Sequence, residues 1–204
     1  MVQNRIQPRR GRPRAYDPQT ALQQATDAFW KSGYSGTSLD DIAAATGMNR
    51  PSLYAAFGDK QKLYLQALAH YWELRLAEIR EALAADQPLK EALMGVYEAA
   101  LSIYFSGHDR PRGCFVIGTA VTEAVDDSNI RNSLAAGILA FDTHFEARFR
   151  TAQEKGELKA GADPAALAVL ATATMQTIAI RARAGATRSA LRDLARRAVN
   201  LLCG

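Results

Sequence analysis

From Leu22 to Leu202 apolar residues recur every three or four positions, and no stretch of the chain alternates apolar with polar side chains. That period belongs to one face of an α-helix, so the chain is restricted to an all-α fold in which striped helices pack on one another. Stop and start signals divide it into about nine helices. The first follows Pro18, aligns Leu22, Ala25 and Phe29, and ends near Gly33. Thr37 or Ser38 caps the second, since each has an aspartate three residues later (Asp40, Asp41), and Leu39, Ile42 and Ala43 form its stripe as far as Gly47. Asn49 caps a third that reaches Phe57. Asp59 caps a fourth of roughly 25 residues, striped by Leu65, Leu68, Trp72, Ile79 and Leu83. Pro88 opens the fifth, and Ser106 to Gly113 reads as a loop. Cys114 starts a short sixth helix toward Val125, and the seventh runs from about Ser128 to Lys155. Asp163-Pro164 begins the eighth, which runs through Arg183, and Gly185 separates it from the ninth.

Charge is distributed unevenly. The formal net charge is +4, yet residues 1–14 hold Arg5, Arg9, Arg10, Arg12 and Arg14 with no acid, which leaves 20 bases against 21 acids in the rest. Residues 1–14 therefore read as a flexible basic arm on a nearly neutral body, and contact with a polyanion should start from the arm. An architectural DNA-binding protein, which would spread basic residues over its body, fits this pattern less well. The first fifteen residues lack an apolar signal region, and two cysteines are too few for a disulfide framework, so a reducing cytoplasm is expected. The apolar run from Ala165 to Ile180 holds Thr172, Thr174, Gln176 and Thr177 and ends at Arg181, which reads as a buried helix and not as a membrane span. No GxGxxG, P-loop, HExxH or GxSxG motif is present, which argues against an enzyme and against a cofactor. His70, His108 and His144 include no i,i+4 pair, so no metal site is expected.

Function concentrates between Ser38 and Phe57. Two short helices joined by a Gly-containing turn are either a structural corner or a DNA-reading unit whose second helix enters the major groove. The residues favour the second. Arg50, Ser52, Tyr54 and Ala55 lie on or near the face that Leu53 and Phe57 leave free, offering a guanine-reading cation, hydroxyls for phosphates and a methyl for thymine. Lys60 stands in the first turn of the fourth helix, where a cation opposes the dipole unless a phosphate binds beside it. Arg10, Arg12 and Arg14 of the arm could lie in a minor groove, or the arm is a solvated tail.

Phe29, Gly33, Tyr34, Thr37, Ser38, Ile42, Ala43, Gly47, Leu53, Tyr54, Phe57, Lys60 and Leu63 form a connected pattern. On these residues the chain, from Gly11 to about Tyr71, resembles the TetR family of transcriptional regulators. One departure is Ala56, where the family often has a second aromatic. The resemblance implies that Thr37, Ser38, Tyr54 and Lys60 hold phosphates and that Arg50, Ser52 and Ala55 face bases; Asn49, which caps the third helix, is a further candidate for DNA contact. It divides the chain into a basic arm (1–14), a helix-turn-helix domain (15–60) and a ligand-binding and dimerisation domain (61–204). Gly113-Cys114-Phe115, Gln176-Thr177 and the Ala182 to Ala186 segment are similar to a subgroup that includes a copper-responsive outer-membrane regulator. The expected activity is that of a repressor on a palindromic double-stranded operator, released by a small-molecule or oxidant effector.

The resemblance also implies a pocket in the second domain, with Trp72, Tyr97, Leu101, Tyr104, Cys114, Phe115, Thr119, Phe141, Phe145 and Gln176 as candidate lining residues. Aromatics at this spacing also suit an ordinary core. Cys114 at a helix start, with Arg110 and Arg112 close in sequence, either forms a reactive thiolate that senses oxidants or is a small buried hydrophobe. The last two helices, the ninth striped by Leu191, Leu194, Ala195, Ala198, Val199 and Leu202, either pair with their symmetry mates in a homodimer or belong to the chain's own core.

Overall fold

Local capping chemistry sets the helix boundaries. In the computed structural model, which describes residues 16–84, 86–107 and 110–204, the described residues form nine helices and no strand. These are α1 (Pro18–Ser32), α2 (Leu39–Thr46), α3 (Arg50–Phe57), α4 (Lys60–Ala84), α5 (Leu89–Tyr104), α6 (Phe115–Glu123), α7 (Ser128–Glu154), α8 (Pro164–Arg183) and α9 (Arg188–Cys203). Arg10, Arg12 and Arg14, and His108, lie outside the described residues. Asp17, Asn49 and Asp59 accept from backbone N–H groups of Thr20, Ser52 and Lys62 at 2.8, 2.9 and 2.8 Å. Each such cap contributes about 1 kcal/mol. At α2 the choice between two candidates resolves to Ser38, which forms a full capping box with Asp41.

The first lobe is α1–α3 closed by the start of α4. Ala25, Phe29, Ile42, Leu53 and Leu63 are almost wholly buried within it. The turn between α2 and α3 passes through Gly47 at φ 64° and ψ 13°, a left-handed conformation in which a Cβ is strained. Then α4 continues without a break into the second lobe, packing on α1 and α3 and further along on α5 and α7. Gly137 of α7 is where α4 comes closest: a Cβ there would overlap the Trp72 indole, so glycine lets the ring lie on the helix backbone.

The second lobe packs α5, α7, α8 and α9 around Leu93, Tyr97, Leu101, Phe145, Phe149 and Ile178. Here α8 departs from the fully buried helix expected. One face, with Ala168, Ala171, Met175, Ile178 and Ala182, is buried against its neighbours, while Val169, Leu170 and Ile180 are each more than half exposed. Among the described residues α8 is the one helix long and apolar enough to cross a membrane by length and composition. The stripe of α9 is likewise turned inward: Leu191, Ala195, Val199 and Leu202 are buried in the chain's own core, Leu194 and Ala198 are half-buried, and Leu201 is exposed.

Candidate nucleic-acid interface

With Leu53 and Phe57 locked into the first lobe, α3 presents its opposite face. Arg50, Tyr54 and Ala55 are exposed, and Ser52 is half-buried. Arg50 is the first residue of α3, where side chains of a recognition helix reach base edges. Its guanidinium is already paired with a residue the sequence reading placed only at a cap: Asp40 of α2 accepts from Nε at 2.7 Å and from Nη2 at 2.5 Å. The i to i+10 spacing across a turn gives no periodic signal, which is why the pair was missed. Each partner favours the other's charge, holding the Asp40 carboxyl below its ordinary range and raising the guanidinium.

The phosphate candidates divide. Thr37 is corrected: it is buried, and its hydroxyl donates to the Gly33 carbonyl at 2.6 Å, so it braces the α1–α2 turn and presents no hydroxyl to a phosphate. Ser38 is exposed, but its hydroxyl donates to Asp41 Oδ2 at 2.6 Å and accepts from the Asp41 N–H. The Asn49 side chain is held by its cap to Ser52, leaving its NH₂ toward solvent. Tyr54 keeps an exposed side chain. The Lys60 ammonium lies 4.4 Å from the Tyr34 ring centroid, a cation–π contact that fixes it beside the α4 N-terminus, and partial burial lowers its pKa. Arg50, Ser52, Tyr54, Ala55 and Lys60 thus share the end of the lobe formed by α3 and the start of α4.

This lobe is fastened to the second at both ends of α6. Ahead of α6, Arg112 lies over the Trp30 ring at 3.8 Å and pairs with Asp27 at 2.7 Å, while Trp30 Nε1 donates to the Arg112 carbonyl at 3.2 Å. Beyond it, Ser35 donates to Glu123 at 2.8 Å and Gln61 donates to Asp127. Between them an aromatic cluster of Phe29, Trp30, Tyr34, Tyr64, Tyr71 and Phe115 runs through the junction. Tyr64 and Thr119 share a hydrogen bond of 2.7 Å inside it.

A largely apolar cavity of about 30 Å³ lies between α4, α5 and the start of α6, with Phe141 and Met175 closing it. That is room for about two water molecules. Of the ten lining candidates, Tyr104, Cys114 and Phe141 reach it. The others lie outside it: Trp72 packs edge-on to Phe141, Tyr97 donates to the Ala171 carbonyl, Leu101 and Phe145 are core, Phe115 and Thr119 belong to the junction, and Gln176 is a half-buried residue of α8 away from the cavity. Residues not anticipated, Tyr71, Arg75 and Glu78, share a face of α4 at i, i+4 and i+7 and supply the polar wall. Arg75 pairs with Glu78 at 2.8 Å while its buried Nε has no partner among the described residues. An open cleft of about 330 Å³ next to the cavity, shared by Tyr71, Arg75 and Ile103, reaches Trp30 and Arg112 at the junction.

Cys114 does not have the environment of a reactive thiolate. Its sulfur accepts from the Tyr71 hydroxyl at 3.3 Å, and burial pushes the thiol's pKa up. The N–H groups of Val116 and Ile117 and the Tyr71 hydroxyl pull it down, as a helix N-terminus should, but burial outweighs them. Arg112, expected to help, is turned to Asp27 and Trp30. Among the described residues no three His, Cys, Asp or Glu side chains gather as a metal site.

Comparison with known proteins agrees with this architecture. The profile of the bacterial regulatory proteins of the tetR family matches residues 21–67, and that of the tetracyclin repressor-like C-terminal domain matches residues 89–199. The chain is 32% identical over 186 residues to the HTH-type transcriptional repressor ComR of Escherichia coli, covering 91% of this chain and 89% of ComR. It is 34% identical over 107 residues to the E. coli repressor BdcR, covering 52% of this chain and 54% of BdcR. Among solved structures it is similar to the TetR family regulator CifR in complex with 26-bp double-strand operator DNA, with a TM-score of 0.84, 32% identity, and coverage of 93% of this chain and 98% of that one. The two-lobed helical fold and its helix-turn-helix are therefore those of a transcriptional regulator and not an enzyme, and the chain belongs to the TetR family.

Proposed function

We propose that the protein is a homodimeric repressor that reads a palindromic operator with α3 and is released from it by a small molecule entering the second lobe. The observation that carries this reading is the exposed face of α3, where Arg50, Tyr54 and Ala55 stand outside the core beside Lys60 at a helix N-terminus. Arg50 and Ala55 read base edges, while Tyr54 and Lys60 hold phosphates. Arg10, Arg12 and Arg14 add a minor-groove contact from the arm. The E. coli relatives ComR and BdcR are repressors, which supports that sign of control. The protein acts in the cytoplasm, with the DNA.

Dimerisation follows from the outer faces of the last two helices. Val169, Leu170 and Ile180 on α8 and Leu201 on α9 leave apolar surface uncovered by the described residues, and a two-fold copy would cover it. Such a dimer sets two recognition helices about 34 Å apart, one helical turn of DNA. Release uses the junction. The cavity wall made by Tyr71, Tyr104 and Cys114 is two residues from Arg112, which grips α1 through Asp27 and Trp30, so expansion of so small a cavity by a ligand moves the first lobe. The ligand must prefer the moved state, because equal affinity for both states shifts nothing. The half-buried, hydrogen-bonded Cys114 thiol, whose pKa is raised, favours a wall contact over the oxidant sensor that its place at a helix start suggested.

Selection of duplexes from a randomised pool tests this reading. A dyad-symmetric consensus, with half-sites about one helical turn apart, is the expected outcome. A pool that retains no consensus would mean backbone binding by the arm and would leave the architectural reading.

A further inference from the structure

Asp40 sits where a carboxylate should be unwelcome. Ser38 and Asp41 complete the cap of α2 between them, and Asp40 takes no part in it, leaving its side chain 70% exposed. A negative charge on the face that meets DNA repels phosphates and lowers affinity for every sequence alike. Its pairing gives it a use. Arg50 donates to it side-on, through Nε and Nη2 to the two carboxylate oxygens, across the turn that joins α2 to α3.

Arginine carries five N–H donors in a planar fork. The side-on pair occupies the Nε proton and one Nη2 proton. Both Nη1 protons and the second Nη2 proton remain, at the far end of the guanidinium, and Nη1 has no partner among the described residues. Those end-on donors match the O6 and N7 acceptors that guanine presents in the major groove. One arginine can therefore hold the carboxylate on one edge and a guanine on the other.

We propose that Asp40 is a positioning residue for specificity, gripping Arg50 side-on so that its free end is already aimed at one guanine in each operator half-site. This rests on Arg50 being a base reader. A long side chain ordered before contact loses less freedom on binding, and the same grip disfavours other bases, which cannot accept two end-on N–H bonds. Because the pair is exposed it contributes little to folding, so its effect shows in recognition and not in stability.

The test uses the full-length protein on the selected consensus duplex, on single-base variants of it and on a scrambled duplex. Arg50→Ala should relax discrimination at one G·C position by about ten-fold or more. Asp40→Asn should relax the same position by about three-fold or more and raise affinity for the scrambled duplex, since a repulsive charge is gone. Asp40→Glu, which restores the carboxylate, should recover part of the discrimination. In the double variant the two effects should not add. If Asp40→Asn tightens consensus and scrambled duplexes equally, or relaxes a different position, Asp40 is only a surface charge and the inference is overturned. If Arg50→Ala relaxes no position while Asp40→Asn keeps its native melting curve, the base-reader assignment itself fails and the inference falls with it.

Discussion

The two lobes solve opposite problems. The first is small, made of helices whose N-terminal ends are each tied by a side-chain cap, and its functional groups lie outside the core on α3 and at the start of α4. The second is built from long helices held by an apolar interior, and its candidate site lies inside that interior as a cavity of about 30 Å³. A surface site can be changed without disturbing the fold, whereas a site made of core residues cannot. Truncations should therefore separate binding from stability in the first lobe and couple them in the second.

The largest expected effect comes from the second lobe. Phe149, fully buried in α7, should cost about 3–5 kcal/mol of stability as Phe149→Ala, read by denaturant unfolding. Loss of DNA discrimination with unchanged stability would break the comparison. Arg50→Ala should instead leave the melting curve in place and lose about 1–3 kcal/mol of base preference at one operator position. Ser38→Ala should remove about 1 kcal/mol of stability through the lost cap of α2. Lys60→Ala should weaken all duplexes alike and shallow the slope of log affinity against log salt by about one.

Titration adds a second contrast, because the exposed helix-cap carboxylates and the cavity wall carry shifts of opposite sign. Asp17 and Asp41 of the first lobe, lowered by the hydrogen bonds they accept, give stability that is present above the ordinary aspartate value and is lost as pH falls through their depressed ones. Cys114, Tyr71 and Tyr104, raised by burial, give stability that is whole below their unfolded values and is lost as pH rises through the folded ones. Acid should loosen the caps first and alkali the cavity wall. Cys114 should also alkylate at pH 8 about ten-fold or more slowly than an open thiol, as followed by mass spectrometry. Alkylation at the open-thiol rate would restore the sensor assignment.

Helix existence, the caps at Asn49 and Asp59 and the turn at Gly47 were legible because each depends on residues within one turn of the chain. Thr37 was misjudged for a related reason: two adjacent hydroxyls both suit a cap, and only the closure of the α1–α2 turn decides that Thr37 faces inward. The Asp40–Arg50 pair crosses a turn with no period to announce it. In the second lobe Trp72 and Tyr71 are neighbours on one helix, and which of them meets the cavity depends on how α4 rolls against α7, where Gly137 admits the indole of Trp72. The two faces of α8 are similarly apolar, so composition implied a helix buried all round and could not say which face meets the chain's own core and which is left exposed.

Fluorescence anisotropy of the full-length protein on its selected duplex and on a scrambled one, across a salt titration, tests the central claim that the α3 face reads sequence. The account predicts that preference for the selected duplex persists as salt rises, because base contacts outlast the screened phosphate contacts. Equal binding to both duplexes, falling together with salt, would contradict it.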